Sequence, residues 1–283
     1  YIKKLITLIE KIDINSERGQ IVLSVDVGIA TSTAETVTAN QLIENADTAL
    51  FKAKSISGPE LVYFDKTVAL EQQHRFELEQ AIASGLDNHQ FVAAYQPIFS
   101  VAQQRIVGFE ALARWQHPTR GLLAPFEFIS LMEERGLISQ LTLQMLDQVI
   151  AKLAHWQHNN PALFMSLNLS ARDIHKPVFI EQLKTLIATH KINPDKIVLE
   201  ITESLLLYDW QQTESVLMSL RALGVHLALD DFGTGYSSLN YLHRINADKL
   251  KIDRSFIAHW SKTNDARLLN TMIQLGKSMN MTV

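Results

Sequence analysis

The sequence contains no cysteine, which excludes disulfides, thiolate nucleophiles and cysteine-bound zinc and fits a reducing cytoplasm. It also lacks any apolar run approaching the ~20 residues that a helical membrane span requires, so no membrane segment is expected. The first residues, Tyr1 to Glu10, form a short amphipathic run without the small-residue cleavage site of a signal peptide. Positive charge is not in surplus: 26 Lys and Arg against 30 Asp and Glu leave a formal net charge of -4. That balance argues against charge-driven binding to a nucleic acid polymer, and a phosphate substrate would need metal ions. The ten histidines are scattered and form no spaced pair of the kind zinc hydrolases use. Ser166 and Ser170 lack the glycine-serine-glycine elbow of a serine hydrolase. No short-period repeat or low-complexity tract is present.

What is present is the material of soluble α/β domains: 283 residues, 47% hydrophobic and 20% charged, enough for one large core or two smaller ones. Ile21 to Ala30 alternates as a strand does. Asn40 to Lys54 places Leu42, Ile43, Ala46, Leu50 and Ala53 at helical spacing. Ser57, Gly58 and Pro59 end that helix, Leu61 to Phe64 reads as a strand, and Val68 to Leu86 as a polar-faced linking helix. A boundary is expected near residue 66. Beyond it, apolar runs at Val92 to Phe99, Ile106 to Leu112, Leu163 to Leu169, Ile197 to Ile201, Val225 to Leu229 and Lys249 to Ile252 read as strands. Amphipathic helices fall between most of them, at Phe126 to Glu134, Leu141 to His155, Pro177 to Thr189, Trp210 to Leu223 and Ala266 to Met279. Strands alternating with helices predict a barrel or a doubly wound sheet with parallel strands. Six strands leave an eight-stranded barrel short, and a further strand is expected to begin at Thr282 and Val283, where the chain stops.

Four of these runs end in a carboxylate or amide: Glu110, Asn168, Glu200, and the pair Asp230 and Asp231. A single strand-end Asp or Asn is most often a helix cap or turn former, but repetition on strand after strand points to a common rim, because the C-terminal ends of parallel barrel strands converge there. Crowded carboxylates need a compensating cation, and oxygen ligands suit hard ions such as Mg²⁺ or Mn²⁺. Lys251 interrupts an apolar strand. Facing inward it would meet these groups and stabilise charge building on a phosphorus; facing outward it would be a snorkelling surface lysine. Arg114 is suited to fork onto a phosphate or pair with a carboxylate, and Trp115 serves equally as core or stacking surface. After Asp231 the glycines at 233 and 235 permit positive φ, so this loop is either a mobile switch or a plain connection.

These residues carry a family resemblance. Glu110-Ala111-Leu112-Ala113-Arg114-Trp115 resembles the sequence for which EAL phosphodiesterases are named. Around it, in matching order, stand Tyr95-Gln96-Pro97-Ile98, Phe128-Ile129 with Glu133, Gly136-Leu137-Ile138, Asn168-Leu169-Ser170, Glu200-Ile201-Thr202-Glu203, the run from Asp230 to Ser238, and Lys251-Ile252-Asp253. The resemblance runs from about residue 75 to the end. It implies a TIM-like (β/α)₈ barrel that hydrolyses cyclic di-GMP to linear pGpG with a water activated by two Mg²⁺ or Mn²⁺ ions. By the same resemblance Glu110, Asn168, Glu200, Asp230 and Asp231 are metal ligands. Lys251 resembles the family's catalytic lysine and Asp253 its supporting carboxylate. The resemblance implies that Glu203 would brace the loop of Gly233 and Gly235, which in that family couples homodimerisation to metal binding. Gln96, Leu112 and Arg114 resemble substrate contacts, and Met132 stands where that family usually has alanine.

Residues 1 to 65 resemble the last third of a GGDEF diguanylate cyclase domain, through Val27-Gly28-Ile29-Ala30, Ala46-Asp47, Ala49-Leu50-Phe51 and Ala53-Lys54. The signature loop of that family is not in the chain. Lys54 matches a lysine associated with GTP phosphates, but an arginine expected shortly after it has no counterpart. In the EAL part, a Glu-Gly-Val-Glu carboxylate and a late glutamine would lie beyond Val283, so the barrel is expected to be incomplete at its C-terminal end. The parent protein is expected to be an enzyme; the alternative is a non-catalytic module that senses cyclic di-GMP, and a protein-interaction scaffold would have lost several acidic ligands.

Overall fold

The computed structural model describes residues 2–12, 14–16, 19–21, 23–32, 38–55, 60–170, 174, 176–202, 210–234 and 244–283. The chain divides into two units, Tyr1–Ala81 and Ile82–Val283. The first contains α1 (Ile2–Glu10), β1 (Ile14–Ser16), β2 (Gly19–Ile21), β3 (Val27–Ile29), α2 (Ala39–Lys54), β4 (Leu61–Tyr63) and the start of α3 (Lys66–Asp87). Strands β3 and β4 pair in parallel around the intervening α2, with Gly28 opposite Val62. The helix begins where the Thr38 side chain accepts a hydrogen bond from the Gln41 amide at 3.2 Å, and it buries Ala49 and Ala53. It lies so close to β3 that a Cβ on Gly28 would stand 2.2 Å from the Leu50 nitrogen, which is why this strand needs glycine there. The strand expected over Ile21 to Ala30 is divided. Its start pairs antiparallel with β1, and only Val27–Ile29 joins β4.

The second unit is built on β5 (Phe91–Ser100), β6 (Arg105–His117), β7 (Gly121–Leu123), β8 (Phe164–Asn168), β9 (Ile197–Thr202), β10 (His226–Phe232) and β11 (Lys249–Ile252). Between and after them come α4 (Pro125–Glu134), α5 (Ile138–Gln157), α6 (Pro177–His190), α7 (Trp210–Ala222), α8 (Arg254–Thr263) and α9 (Arg267–Ser278). The sheet order is β11-β10-β9-β8-β6-β5, with β7 attached to β6. From β6 through β11 each neighbour in that path is parallel. β5 is the exception. It pairs antiparallel with β6, which corrects the expectation of parallel strands throughout: only Val101 to Gln104 separate the two, and a parallel return needs a crossover of a dozen residues or more.

Side-chain alternation divides this sheet into two faces. Met165, Leu167, Leu199, Ile201, Leu227 and Leu229 are all buried on one face, while the intervening residues, among them Ser166, Asn168, Glu200, Ala228 and Asp230, point to the other. Helix α5 packs on β5 and β8 with Leu146, Ile150 and Leu153 fully buried. Trp115 settles as core. It is fully buried, stacks on Phe91 at 5.0 Å between ring centroids and donates its indole N–H to Gln90 at 3.0 Å. Among the described residues β5 and β11 end the sheet path, and a cavity of about 760 Å³ lies between them, lined from one side by Ile98 and Phe99 and from the other by Lys249 and Thr282. Thr282 enters the sheet beside β11 as a parallel bridge to Lys249, its amide donating to the Asp248 carbonyl at 2.9 Å.

Candidate active site

Strand register brings distant residues onto one interior surface. Glu110 lies opposite Ser166, Asn168 opposite Glu200, and Ala228 opposite both Glu200 and Lys249. Lys251 is two residues beyond Lys249 and therefore on the same face. Its ammonium reaches three carboxylates: Glu110 Oε2 at 3.2 Å, Asp230 Oδ2 at 3.1 Å, and Glu200 Oε2 in a still shorter ion pair. Lys251 thus faces inward. Glu110, Glu200 and Asp230 each offer an oxygen within 4.8 Å of the others. Asn168 joins them by donating from Nδ2 to Glu110 Oε1 at 3.3 Å. An all-oxygen set of this kind can hold a hard divalent cation.

Burial makes the cluster electrostatically demanding. The Glu200 side chain is only 2% exposed. Burial raises its pKa most; Lys251 pulls it down, Glu110 pushes it up, and the net result is about 7. Burial also works against the Lys251 charge, but attraction to Glu200, Asp230 and Glu110 outweighs it and holds the lysine above its ordinary value. The ammonium is therefore fixed at neutral pH.

A local irregularity sets the Asp230-Asp231 pair. Between Leu229 and Phe232, β10 carries one residue more than β11 does between Leu250 and Ile252, a β-bulge that re-aims side chains at the end of a strand. Asp231 takes the left-handed conformation there, with φ 52°, and its amide donates to Asp230 Oδ1 at 2.9 Å. Burial, then Asp230 and then Asp253 raise the Asp231 pKa. Gly233 follows at φ 99°, with Phe256 and Met272 so close that a Cβ would meet them at 2.7 and 2.5 Å. Only glycine meets both conditions.

The remaining expected residues fall as follows. Gln96 is exposed on β5 directly opposite Glu110, and Leu112 and Arg114 follow Glu110 on the same face of β6. The Arg114 guanidinium donates to the Ala113 carbonyl at 2.8 Å. Asp253 is absent from the ion pairs of Lys251. It caps α8, accepting from the Ser255 amide at 2.9 Å, and hydrogen bonds from Ser255 lower its pKa. Glu203 and Gly235 lie outside the described residues. Two interior residues went unremarked as members of the site. Ser166 is 1% exposed, in register with Glu110, and close enough to Glu200 to lower its pKa. Lys249 lies over the Phe164 ring at 4.2 Å, and burial lowers its pKa. Period-two alternation back from Lys251 would have found it.

The EAL domain family model matches residues 77–283. The chain is 33% identical over 270 residues to the bifunctional diguanylate cyclase/cyclic di-GMP phosphodiesterase MucR of Pseudomonas aeruginosa, covering 94% of this chain and 39% of that protein. It is 31% identical over 264 residues to the signaling protein YkoW of Bacillus subtilis, covering 93% and 33%. The chain thus spans well under half the length of these relatives. Among solved structures, the PaMucR phosphodiesterase in complex with c-di-GMP superimposes with a TM-score of 0.69 at 34% identity, over 72% of this chain and 84% of that one. The EAL enzyme Bd1971, in its cAMP and cyclic-di-GMP bound form, gives 0.68 at 28% identity over 88% and 65%.

Proposed function

The chain belongs to the EAL domain family, and from that premise we propose that the protein hydrolyses cyclic di-GMP to linear pGpG. The observation that carries this reading is the meeting of Glu110, Glu200 and Asp230 around Lys251 on one interior surface. Their donor chemistry fits Mg²⁺ or Mn²⁺. Glu110, Asn168, Glu200, Asp230 and Asp231 would hold two such ions. Bound there, these ions supply charge neutralisation at the phosphate and acidify a water for attack on it. The hydrolysis would form one P–O bond to a water oxygen, which gives up a proton, and break one phosphate ester bond to a ribose oxygen, which takes up a proton, leaving a ribose hydroxyl and a linear dinucleotide with a terminal phosphate.

The chain's own groups divide the remaining work. Lys251 brings a permanent positive charge to the phosphorus as negative charge accumulates. Gln96, Leu112 and Arg114 line the strand pair beside Glu110 and receive the substrate; a guanidinium suits a phosphate oxygen. Asp253 stiffens the end of β11 by capping α8. Glu203 is assigned to bracing the loop after Asp231, and through that loop to a homodimer. Residues 1–65 we assign to the C-terminal part of a GGDEF domain, supported by an alignment with a named bifunctional cyclase/phosphodiesterase that extends over 94% of the chain.

Purified protein with Mg²⁺ or Mn²⁺ should convert cyclic di-GMP to pGpG, followed by chromatography. Glu110→Ala should lower turnover by at least about 100-fold, since even residues behind metal ligands cost 10–100-fold. Turnover unchanged by that substitution would refute the assignment. Binding of cyclic di-GMP with no turnover by the unsubstituted protein would make it a sensor.

A further inference from the structure

The three carboxylates that would hold a metal ion are also the three that Lys251 holds now. One ammonium contacts Glu110 at 3.2 Å, Asp230 at 3.1 Å and Glu200 at shorter range, and these same residues gather their oxygens within 4.8 Å. Mg²⁺ sits about 2.0–2.1 Å from its oxygen ligands. An ion drawing in these oxygens to that distance would crowd an ammonium already in contact with all three carboxylates, and the two positive charges would repel.

We propose that Lys251 is the resident cation of the metal-free site and competes with the first divalent ion for Glu110, Glu200 and Asp230. The inference rests on the reading of this cluster as a metal-dependent site. Without an ion, Lys251 neutralises part of a buried cluster that would otherwise repel itself. When an ion enters, the lysine's flexible four-carbon stem lets it swing off the carboxylates. The side chain therefore has two positions, one as a plug and one facing the substrate, and metal loading selects between them. The protein accordingly gives up part of its metal affinity: a site that is blocked most of the time binds more weakly in proportion to the fraction that is free.

The test needs no turnover. Mn²⁺ binding at pH 8 would be measured by titration calorimetry, without substrate, for the unsubstituted protein and for Lys251→Met. Removing the plug should tighten Mn²⁺ binding by about tenfold or more, as expected if the lysine fills the site about nine-tenths of the time. Equal or weaker binding by a folded Lys251→Met protein overturns the proposal. A second measurement stands if that variant does not fold. Amine acetylation of the unsubstituted protein, followed by mass spectrometry, should modify Lys251 slowly in chelator and faster with Mn²⁺. A rate that Mn²⁺ leaves unchanged or slows also overturns it. Failure of the unsubstituted protein to bind Mn²⁺ at all would remove the metal-dependent reading itself, a result distinct from the other two.

Discussion

Glu200 should make the metal-free protein less stable as pH rises, and Glu200→Gln isolates the effect. Burial raises this carboxyl from 4.5 to about 7. A group whose folded pKa lies above its unfolded one binds its proton more tightly in the native state. Its favourable contribution is complete below about pH 4.5 and is lost as pH climbs through about 7. At roughly 1.36 kcal/mol per pH unit, the interval is worth about 3 kcal/mol. Glutamine keeps the shape and cannot ionise, so the stability of the unsubstituted protein relative to Glu200→Gln should fall by about that amount between pH 4.5 and 8. For a domain of this size the difference in melting temperature should change by on the order of 10 °C. All four tryptophans, at 115, 156, 210 and 260, lie beyond Ala81, so intrinsic fluorescence during denaturation in chelator reports on the unit that holds the site. Parallel stability curves for the two proteins across this range would refute the reasoning, because Glu200 would then titrate alike folded and unfolded.

Two further substitutions separate structure from chemistry. Asp231→Gly relieves a left-handed backbone at φ 52° and should raise stability by about 1 kcal/mol, read from the denaturant midpoint, while turnover of cyclic di-GMP falls; a destabilised Asp231→Gly would contradict the strain. Asp253→Ala removes the cap of α8 and should cost about 1 kcal/mol. Asp253→Asn, also a good capping residue, should retain most of that stability, and equal losses for both would show that capping is not what Asp253 contributes.

The parts of this fold legible in the sequence were those fixed by local chemistry. Helix α2 stood out because Leu42, Ala46, Leu50 and Ala53 share a face, and its strands because apolar residues flank it on both sides. What sequence could not give was pairing direction, except where chain length dictates it: the four residues between β5 and β6 already forbid a parallel return. The site was legible as a set of strand-end acids, yet Glu110 lies in the middle of β6, which runs on to His117 to pair with β7. Asp253 carried a second, structural signal. Its motif suggested a partner for Lys251, while its position at the head of an amphipathic helix already carried the signature of an N-cap.

Charge accounting joins the fold to the chemistry. Among the described residues, the ion pairs of Glu110, Glu200 and Asp230 all go to the Lys251 ammonium, so with all three ionised this group of four carries a net of two negative charges. Glu200 is almost wholly removed from water. A protein selected only for stability would replace such a group with an apolar side chain, because well-packed hydrophobic residues commonly equal or better a buried ion cluster. Two routes relieve the imbalance: protonation of Glu200, favoured by its pKa near 7, or entry of a divalent cation. The raised Glu200, the inward lysine and the consecutive aspartates meet at one place: an interior where ionised carboxylates outnumber the ammonium that reaches them, which is the electrostatic setting that can hold a hard cation.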